Sequence, residues 1–267
     1  MSAMLLEGPV LTRVEHVWGT VVSIDIRDEG ATDAALDVAW ESVRAELHRV
    51  DRLFSTFRPD SVVSRLRGGG RHVVADDVAE VIDRCLEARG ISMGAFDAWA
   101  AAGGFDPSGL VKGWAADRCA RILRQHGFRE FCVDAAGDLV CRGRLGGNGW
   151  PIGVAHPDDP MAVLAVADVL DEAIATSGSS QRGDHIVDPR TGGPASGARQ
   201  ATVIGPDAAI TDALATALVV EGIEGARWFA HLPQWSGAVV VDDTLTWWGP
   251  AFRAPTPDTT RLTIAAA

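Results

Sequence analysis

The spacing of the apolar residues changes near residue 130, and this change constrains the fold more than any other feature. Earlier segments mostly repeat apolar residues at helical spacing, whereas most later segments are short, β-branched and separated by Gly, Pro and Asp. Predicted helices cover residues 31–54, 76–89, 109–126, 208–221 and 224–231. Predicted strands cover residues 18–27, 131–141, 150–155, 163–170, 173–177, 201–204, 238–241 and 245–248. Segregated helices and strands predict an α+β fold.

The length of 267 residues allows one large domain or two small ones, since a domain holds about 150 residues. Neither an internal repeat nor an obvious linker divides the sequence. We therefore expect a single domain over residues 1–267, with two interleaved lobes as the alternative and a surface tail after Pro250.

The net charge limits the classes of ligand. With 24 basic and 36 acidic residues, the chain has a formal charge of −12, which disfavours binding to nucleic acid and to anionic lipid. No apolar run approaches the roughly 20 residues that cross a bilayer, so we expect no membrane insertion. Any anionic ligand must therefore meet a local group of cations or donors.

The cysteines and the N-terminus both favour a cytoplasmic protein. The cysteines lie in apolar segments without Cys-x-x-Cys pairing, as buried thiols of a reducing compartment do; they are Cys85, Cys119, Cys132 and Cys141. The first residues lack a basic start followed by an apolar stretch, which is the pattern of a secretory signal.

The segment FDPSGLVKGWAAD, residues 105–117, places a lysine close to the start of a predicted helix. Pro107, Ser108 and Gly109 are typical of a helix N-terminus, whose dipole disfavours the nearby Lys112 ammonium. A phosphate held at the same helix end would make this position favourable for a cation. The alternative is a solvated surface lysine.

Asp212 and Thr216 lie four residues apart in the segment TDALATAL, residues 211–218. On a helix they share one face and offer a carboxylate and a hydroxyl to a hard cation such as Mg²⁺. The alternative is an acid in the first turn of the helix and a packed threonine.

Residues 173–194 combine a predicted strand with a loop rich in Ser and Gly, the kind of loop that presents N–H groups and hydroxyls to phosphate. His185, which follows this loop, is the best placed of the seven histidines to act as a general base. A structural histidine at the turn formed by Asp188 and Pro189 is the alternative.

Seven segments, in this order along the chain, resemble the ApbE family of FAD:protein FMN transferases. They are WGTVVSIDI, FSTFRPDSVVSRL, GAFDAW, FDPSGLVKGWAAD, DAAGDLVCRG, ATSGSSQRGDHIVDPRTG and TDALATAL. The resemblance covers nearly the whole chain. It implies an α+β, T-fold-like structure of mixed antiparallel sheets with packed helices, and a cleft between lobes that binds FAD.

The resemblance also implies site residues, carried over by position. The FAD contacts fall on Trp18, Ser55, Thr56, Phe57, Asp97 and Lys112, with Ser177, Gly178, His185 and Ile186 nearby. The metal site, for Mg²⁺ or Mn²⁺, falls on the backbone carbonyl of Gly109 together with Asp212 and Thr216.

The reaction implied is attack by a Thr or Ser hydroxyl of an acceptor protein on the FMN phosphorus of FAD, with release of AMP. Its catalytic residues would be Lys112, Asp212 and His185, with His185 as the base. Two alternatives use the same residues. One is a metal-dependent FAD pyrophosphatase that yields FMN and AMP, and the other is a noncatalytic FAD-binding protein.

Overall fold

The computed structural model describes residues 10–68, 75–178, 186–256 and 263–265. The α-helices are α1 (Asp33–Phe54), α2 (Val62–Arg67), α3 (Asp76–Ile91), α4 (Ser108–Gln125) and α5 (Ala208–Glu221), and a 3-10 helix spans Gly222–His231. The strands are β1 (Leu11–Val17), β2 (Thr20–Ile26), β3 (Phe131–Ala135), β4 (Asp138–Arg142), β5 (Trp150–His156), β6 (Asp159–Val169), β7 (Ala173–Gly178), β8 (Gln200–Gly205), β9 (Ser236–Val241), β10 (Thr244–Trp248), β11 (Phe252–Arg253) and β12 (Thr263–Ala265).

The strands form two sheets. An antiparallel eight-stranded sheet has the order β1-β2-β3-β4-β7-β8-β9-β10, and a four-stranded sheet has the order β11-β6-β5-β12. The pairing of β12 with β5 is parallel, so the smaller sheet is mixed.

The eight-stranded sheet separates the helices from the smaller sheet. Val133 of β3 packs in a buried cluster with Leu47 of α1 and Cys119 of α4. Its neighbour Cys132 points to the other face and packs in a cluster with Ile152 of β5. Because successive side chains of a strand alternate between faces, one strand contributes to both cores.

Helix α5 lies between α4 and strands β7 and β8 and is buried along nearly its whole length. Its alanine-rich sequence lets neighbouring backbones approach closely. A Cβ on Gly113 of α4 would overlap the carbonyl oxygen of Ala208 at the start of α5. This close crossing of α4 and α5 holds the polar residues of α5 at a defined position.

Several sequence-based boundaries are wrong. The strand predicted over residues 18–27 starts at Thr20, because Trp18 and Gly19 form a turn with φ of 59° and 72°. The strand predicted over residues 131–141 is a hairpin, because Ala136 and Gly137 turn the chain with φ of 60° and 94°. The positive φ of both turn residues is typical of a tight hairpin turn.

The tail after Pro250, predicted to lie at the surface, is exposed over residues 253–256. Phe252 is buried against the smaller sheet, and Phe252–Arg253 pairs with β6 as an edge strand. The four cysteines are buried free thiols. Among the described residues, every helix is too short or too polar to cross a membrane.

Candidate functional site

A cavity of about 300 Å³ opens where α1 ends and α4 begins, against α5 and the end of β7. It is large enough to hold part of a small-molecule ligand. The structure brings together around it these residues predicted from the sequence: Trp18, Ser55, Thr56, Phe57, Asp97, Gly109, Lys112, Ser177, Gly178, Ile186, Asp212 and Thr216. His185 lies outside the described residues.

Asp212 is the most deeply buried carboxylate of the site, with 1% of its surface exposed. The backbone N–H of Gly113 donates to its Oδ2 at 3.2 Å. Burial and the nearby charge of Asp138 raise the pKa of Asp212 to about 7, although Lys112 and the Gly113 N–H act in the opposite direction. An ionised Asp212 is therefore costly unless a cation lies beside it.

Thr216 lies one turn further along α5 and faces the start of α4. Its Oγ1 lies 3.2 Å from the Oγ of Ser177, at the end of β7. A Cβ on Gly109 would lie 3.1 Å from the same Oγ1, so the backbone of Gly109 adjoins the threonine. Helix α4 departs from helical geometry at Gly109, where ψ is 21°, and this kink turns the Gly109 carbonyl away from the regular helical direction.

The donors next to Asp212 fit a hard cation. A carboxylate, the hydroxyls of Thr216 and Ser177 and a backbone carbonyl at Gly109 are all oxygen ligands, which Mg²⁺ and Mn²⁺ prefer. The missing side chain at Gly109 leaves room beside Thr216 that a Cβ would fill. The predicted metal ligands Gly109, Asp212 and Thr216 lie together in the cavity, and their role in holding a metal stays a prediction.

A second group of possible ligands lies outside the lining of the cavity. His156, Asp158 and Asp243 bring ligand atoms within 4.8 Å of one another. Arg199 forms ion pairs with both carboxylates, so a cation already occupies the position between them. This group is less suited to a metal than the cavity.

Lys112 forms an ion pair with Asp138, a residue that the sequence did not single out as functional. The pair joins Nζ of Lys112 to Oδ2 of Asp138, whose surface is 2% exposed. Asp138 follows the hairpin turn of Ala136 and Gly137, and this turn places it at the start of β4. The DAAGD motif indicates the turn, but no sequence pattern indicates a partner 26 residues from Lys112.

Three aspartates line the cavity near its rim, and each forms an ion pair with an arginine. The closest N···O distances are 3.4 Å for Asp51 and Arg58, 3.0 Å for Asp97 and Arg89, and 3.1 Å for Asp106 and Arg67. The arginines offset the negative charge at the rim. An anionic ligand can therefore approach despite the charge of the whole chain.

Two aromatic residues flank the opening. Phe57 is 95% exposed although it is a large apolar side chain. Trp18 is partly buried, and its indole Nε1 donates to the carbonyl oxygen of Leu47 at 3.3 Å. Both rings line the cavity, where they can pack against a planar ligand.

Comparisons with known proteins identify the family of the chain. The model of the ApbE family matches residues 18–104 and 100–239. The chain is 34% identical over 162 residues to the FAD:protein FMN transferase of Klebsiella pneumoniae (strain 342), which covers 55% of this chain and 46% of that protein. Over 163 residues it is 34% identical to the FAD:protein FMN transferase of Escherichia coli (strain K12). That alignment covers 56% of this chain and 46% of that protein. The matched segment thus spans less than half the length of these curated relatives.

Solved structures share the fold. The flavin transferase ApbE from Vibrio cholerae superposes with a TM-score of 0.76 at 22% identity, covering 90% of this chain and 97% of that chain. This similarity confirms the predicted α+β fold of mixed sheets with packed helices. Because the family model matches most of the sequence, this chain belongs to the ApbE family.

Proposed function

We propose that this chain transfers FMN from FAD to a Thr or Ser hydroxyl of an acceptor protein and releases AMP. One observation carries the proposal: Lys112, Asp212 and Thr216 line one cavity in a chain of the ApbE family. The curated relatives that it matches are named FAD:protein FMN transferases. The buried free thiols support an acceptor in a reducing compartment, which we propose is the cytoplasm.

Asp212, Thr216 and the Gly109 carbonyl would hold the metal. A bound Mg²⁺ would neutralise the pyrophosphate of FAD and stabilise the charge that develops on AMP as it leaves. Lys112 adds a second positive charge at the same end of α4, and its ion pair with Asp138 restrains the ammonium. Because the chain is acidic overall, this local positive charge is what permits a dianionic pyrophosphate to bind.

The transfer makes one bond and breaks another. The acceptor oxygen bonds to the FMN phosphorus, the bond from this phosphorus to the oxygen of AMP breaks, and the hydroxyl proton passes to a base. His185 is our proposed base.

The aromatic residues at the opening would bind the planar rings of FAD. Phe57 and Trp18 line the cavity, and stacking of an aromatic side chain on a planar ligand contributes about 1 kcal/mol per pair.

Mass spectrometry of a threonine-containing acceptor domain tests the proposal. The domain is incubated with the protein, FAD and Mg²⁺, and AMP release is measured in parallel. We expect the acceptor to gain one FMN unit for each AMP. Asp212→Asn should slow this turnover at least about 100-fold, because it removes an anionic ligand of the metal. Asp83→Asn, at an exposed position of α3, is the matched control and should be unchanged.

The alternative functions give different products. Equal amounts of AMP and free FMN without a labelled acceptor would favour an FAD pyrophosphatase. Bound FAD without AMP would indicate a binding protein. Unchanged turnover in Asp212→Asn would contradict the metal assignment.

A further inference from the structure

We propose that Glu221 and Arg190 are positioning residues for FAD. Their ion pair fastens the wall loop, defined as residues 186–195, to helix α5, which carries Asp212 and Thr216. The inference rests on the proposed function, because it assigns the ion pair to the FAD site.

Glu221 is placed unfavourably for its own helix. It is the last residue of α5, where the negative end of the helix dipole disfavours an acid, and the last turn has no basic residue. Its side chain is only 10% exposed. Two arginines from other elements stabilise it. Nη1 of Arg190 lies 2.8 Å from its Oε2, and Nη2 of Arg227 lies 2.5 Å from its Oε1.

The wall loop presents three residues to the cavity, namely Ile186, Val187 and Pro189. It closes on itself through two hydrogen bonds. The N–H of Ala195 donates to the carbonyl oxygen of Ile186 at 2.8 Å, and the N–H of Asp188 donates to that of Gly193 at 2.8 Å. The loop is therefore a compact unit whose position depends on how it is attached to the rest of the fold.

Arg190 forms several hydrogen bonds within this unit. Its Nε and Nη2 donate to the two oxygens of Asp188 at 2.9 and 3.1 Å, and its backbone N–H donates to Oδ1 at 2.9 Å. These hydrogen bonds lower the pKa of Asp188, so the carboxylate stays ionised. Since the guanidinium is planar, fixing two of its nitrogens also directs Nη1 toward Glu221.

The ion pair adds a further attachment of the wall loop to α5. Another lies at the base of the loop, where the N–H of Ala198 donates to the carbonyl oxygen of Val219 at 3.0 Å. Arg190, beside the turn at Thr191 and Gly192, attaches the other end of the loop through Glu221. Asp188, its partner, lies between the cavity residues Val187 and Pro189, so a movement of Arg190 moves this wall. Together with the packing of Ile186 and Ala195 against the core, these attachments hold the wall in place relative to Asp212.

The test compares Arg190→Met with Arg227→Met. Each variant removes one of the two arginines of Glu221, but Arg190 belongs to the wall loop whereas Arg227 lies on the 3-10 helix. The dissociation constant of FAD is measured in the presence of Mg²⁺ from flavin fluorescence, and the melting temperature of each variant is measured without ligand. We expect Arg190→Met to weaken FAD binding about three- to tenfold, with KM changed more than kcat. Arg227→Met should bind FAD within about twofold of wild type at a similar loss of melting temperature.

Further variants keep the test decisive. Glu221→Gln should weaken FAD binding as Arg190→Met does, and the double variant R190M/E221Q should weaken it no more than either single variant, because both changes break the same ion pair. If Arg190→Met fails to fold, Arg190→Lys replaces it and should show an intermediate loss. Equal FAD affinity in the Arg190 and Arg227 variants would overturn the positioning role. A wild-type protein that does not bind FAD would instead overturn the proposed function.

Discussion

The floor and the rim of the cavity carry charge in different ways. At the floor, Asp138, Asp212 and Lys112 come from β4, α5 and α4, and both carboxylates are almost fully buried. At the rim, each aspartate pairs with an arginine that keeps some contact with solvent. The difference appears in the pKa of Asp212, which burial raises to about 7. At the floor, a strand and a helix place carboxylates where burial disfavours their ionised form. At the rim, the arginines stay in contact with water.

This contrast indicates a division of roles. Buried charge at the floor lowers the stability of the metal-free protein and is best explained by a ligand that compensates for it. Paired charge at the rim is partly exposed on the arginine side, and it costs less stability than the charge at the floor because solvent still reaches it. Changes at the floor should therefore alter folding and binding together, and changes at the rim should alter binding alone.

The largest effect is expected at the crossing of α4 and α5. Gly113→Ala would place a Cβ against the backbone carbonyl of Ala208, which cannot move without shifting α5. The free energy of unfolding should fall by at least about 3 kcal/mol, measured by urea denaturation. Gly90→Ala, at an open position of α3, is the control and should be neutral or stabilising by about 0.5 kcal/mol. Equal stabilities would mean that the helices do not cross as described.

A smaller loss is expected when the ion pair at the floor is broken. Lys112→Met leaves Asp138 without the Lys112 ammonium and should lower the free energy of unfolding by about 2 to 3 kcal/mol. Asp138→Asn in the same chain should recover part of this loss, because it removes the buried charge. Urea denaturation of the single and double variants forms a double-mutant cycle. Additive losses would contradict a direct interaction.

The raised pKa of Asp212 predicts a pH-dependent difference between two metal-free proteins. The folded state favours the protonated acid, so ionisation costs stability as the pH rises from about 4, its ordinary value, to about 7. Asp212→Asn avoids this cost. In EDTA the stability of this variant relative to wild type should rise by up to about 4 kcal/mol between pH 4 and pH 8, because a shift of about three pKa units is worth that much. A constant difference between pH 4 and 8 would contradict the raised pKa.

The smallest effect on stability is expected at the rim. Phe57→Ala should change the free energy of unfolding by less than about 0.5 kcal/mol, because the ring is almost fully exposed. The same change should weaken FAD binding several-fold if the ring stacks on a planar part of FAD. Met161→Ala, at another exposed apolar side chain, is the control for both measurements. A large loss of stability in Phe57→Ala would remove the contrast between floor and rim.

Helices with strong local signals could be predicted closely, and elements that depend on distant partners could not. The sequence predicts α5 with its observed bounds, and the apolar spacing of α1 is clear. Strand β1 was missed because its Arg13 and Glu15 interrupt the apolar pattern. In the fold, Arg13 donates to Asp37 at 2.6 Å, and Glu15 accepts from Arg44 at 2.8 Å, both from α1. Helix α2 was missed because it is short and starts with two valines.

For the site, the sequence by itself determined which oxygen donors share a helix face. Asp212 and Thr216 lie four residues apart, and the period of the α-helix brings such residues together wherever the helix is placed. It also determined membership of the ApbE family, which the family model confirms. Motifs in order along a chain are local properties, so neither conclusion needs the fold.

The tertiary structure alone decided the partners of the charged residues. Lys112 meets Asp138, Asp212 meets the N–H of Gly113, and Glu221 meets Arg190, and each pair joins different elements. Helix dipoles indicate that Lys112 and Glu221 are unfavourable in isolation, but not which group compensates them. The physical reason is that burial and charge pairing depend on how separate elements pack together, which no local sequence period encodes.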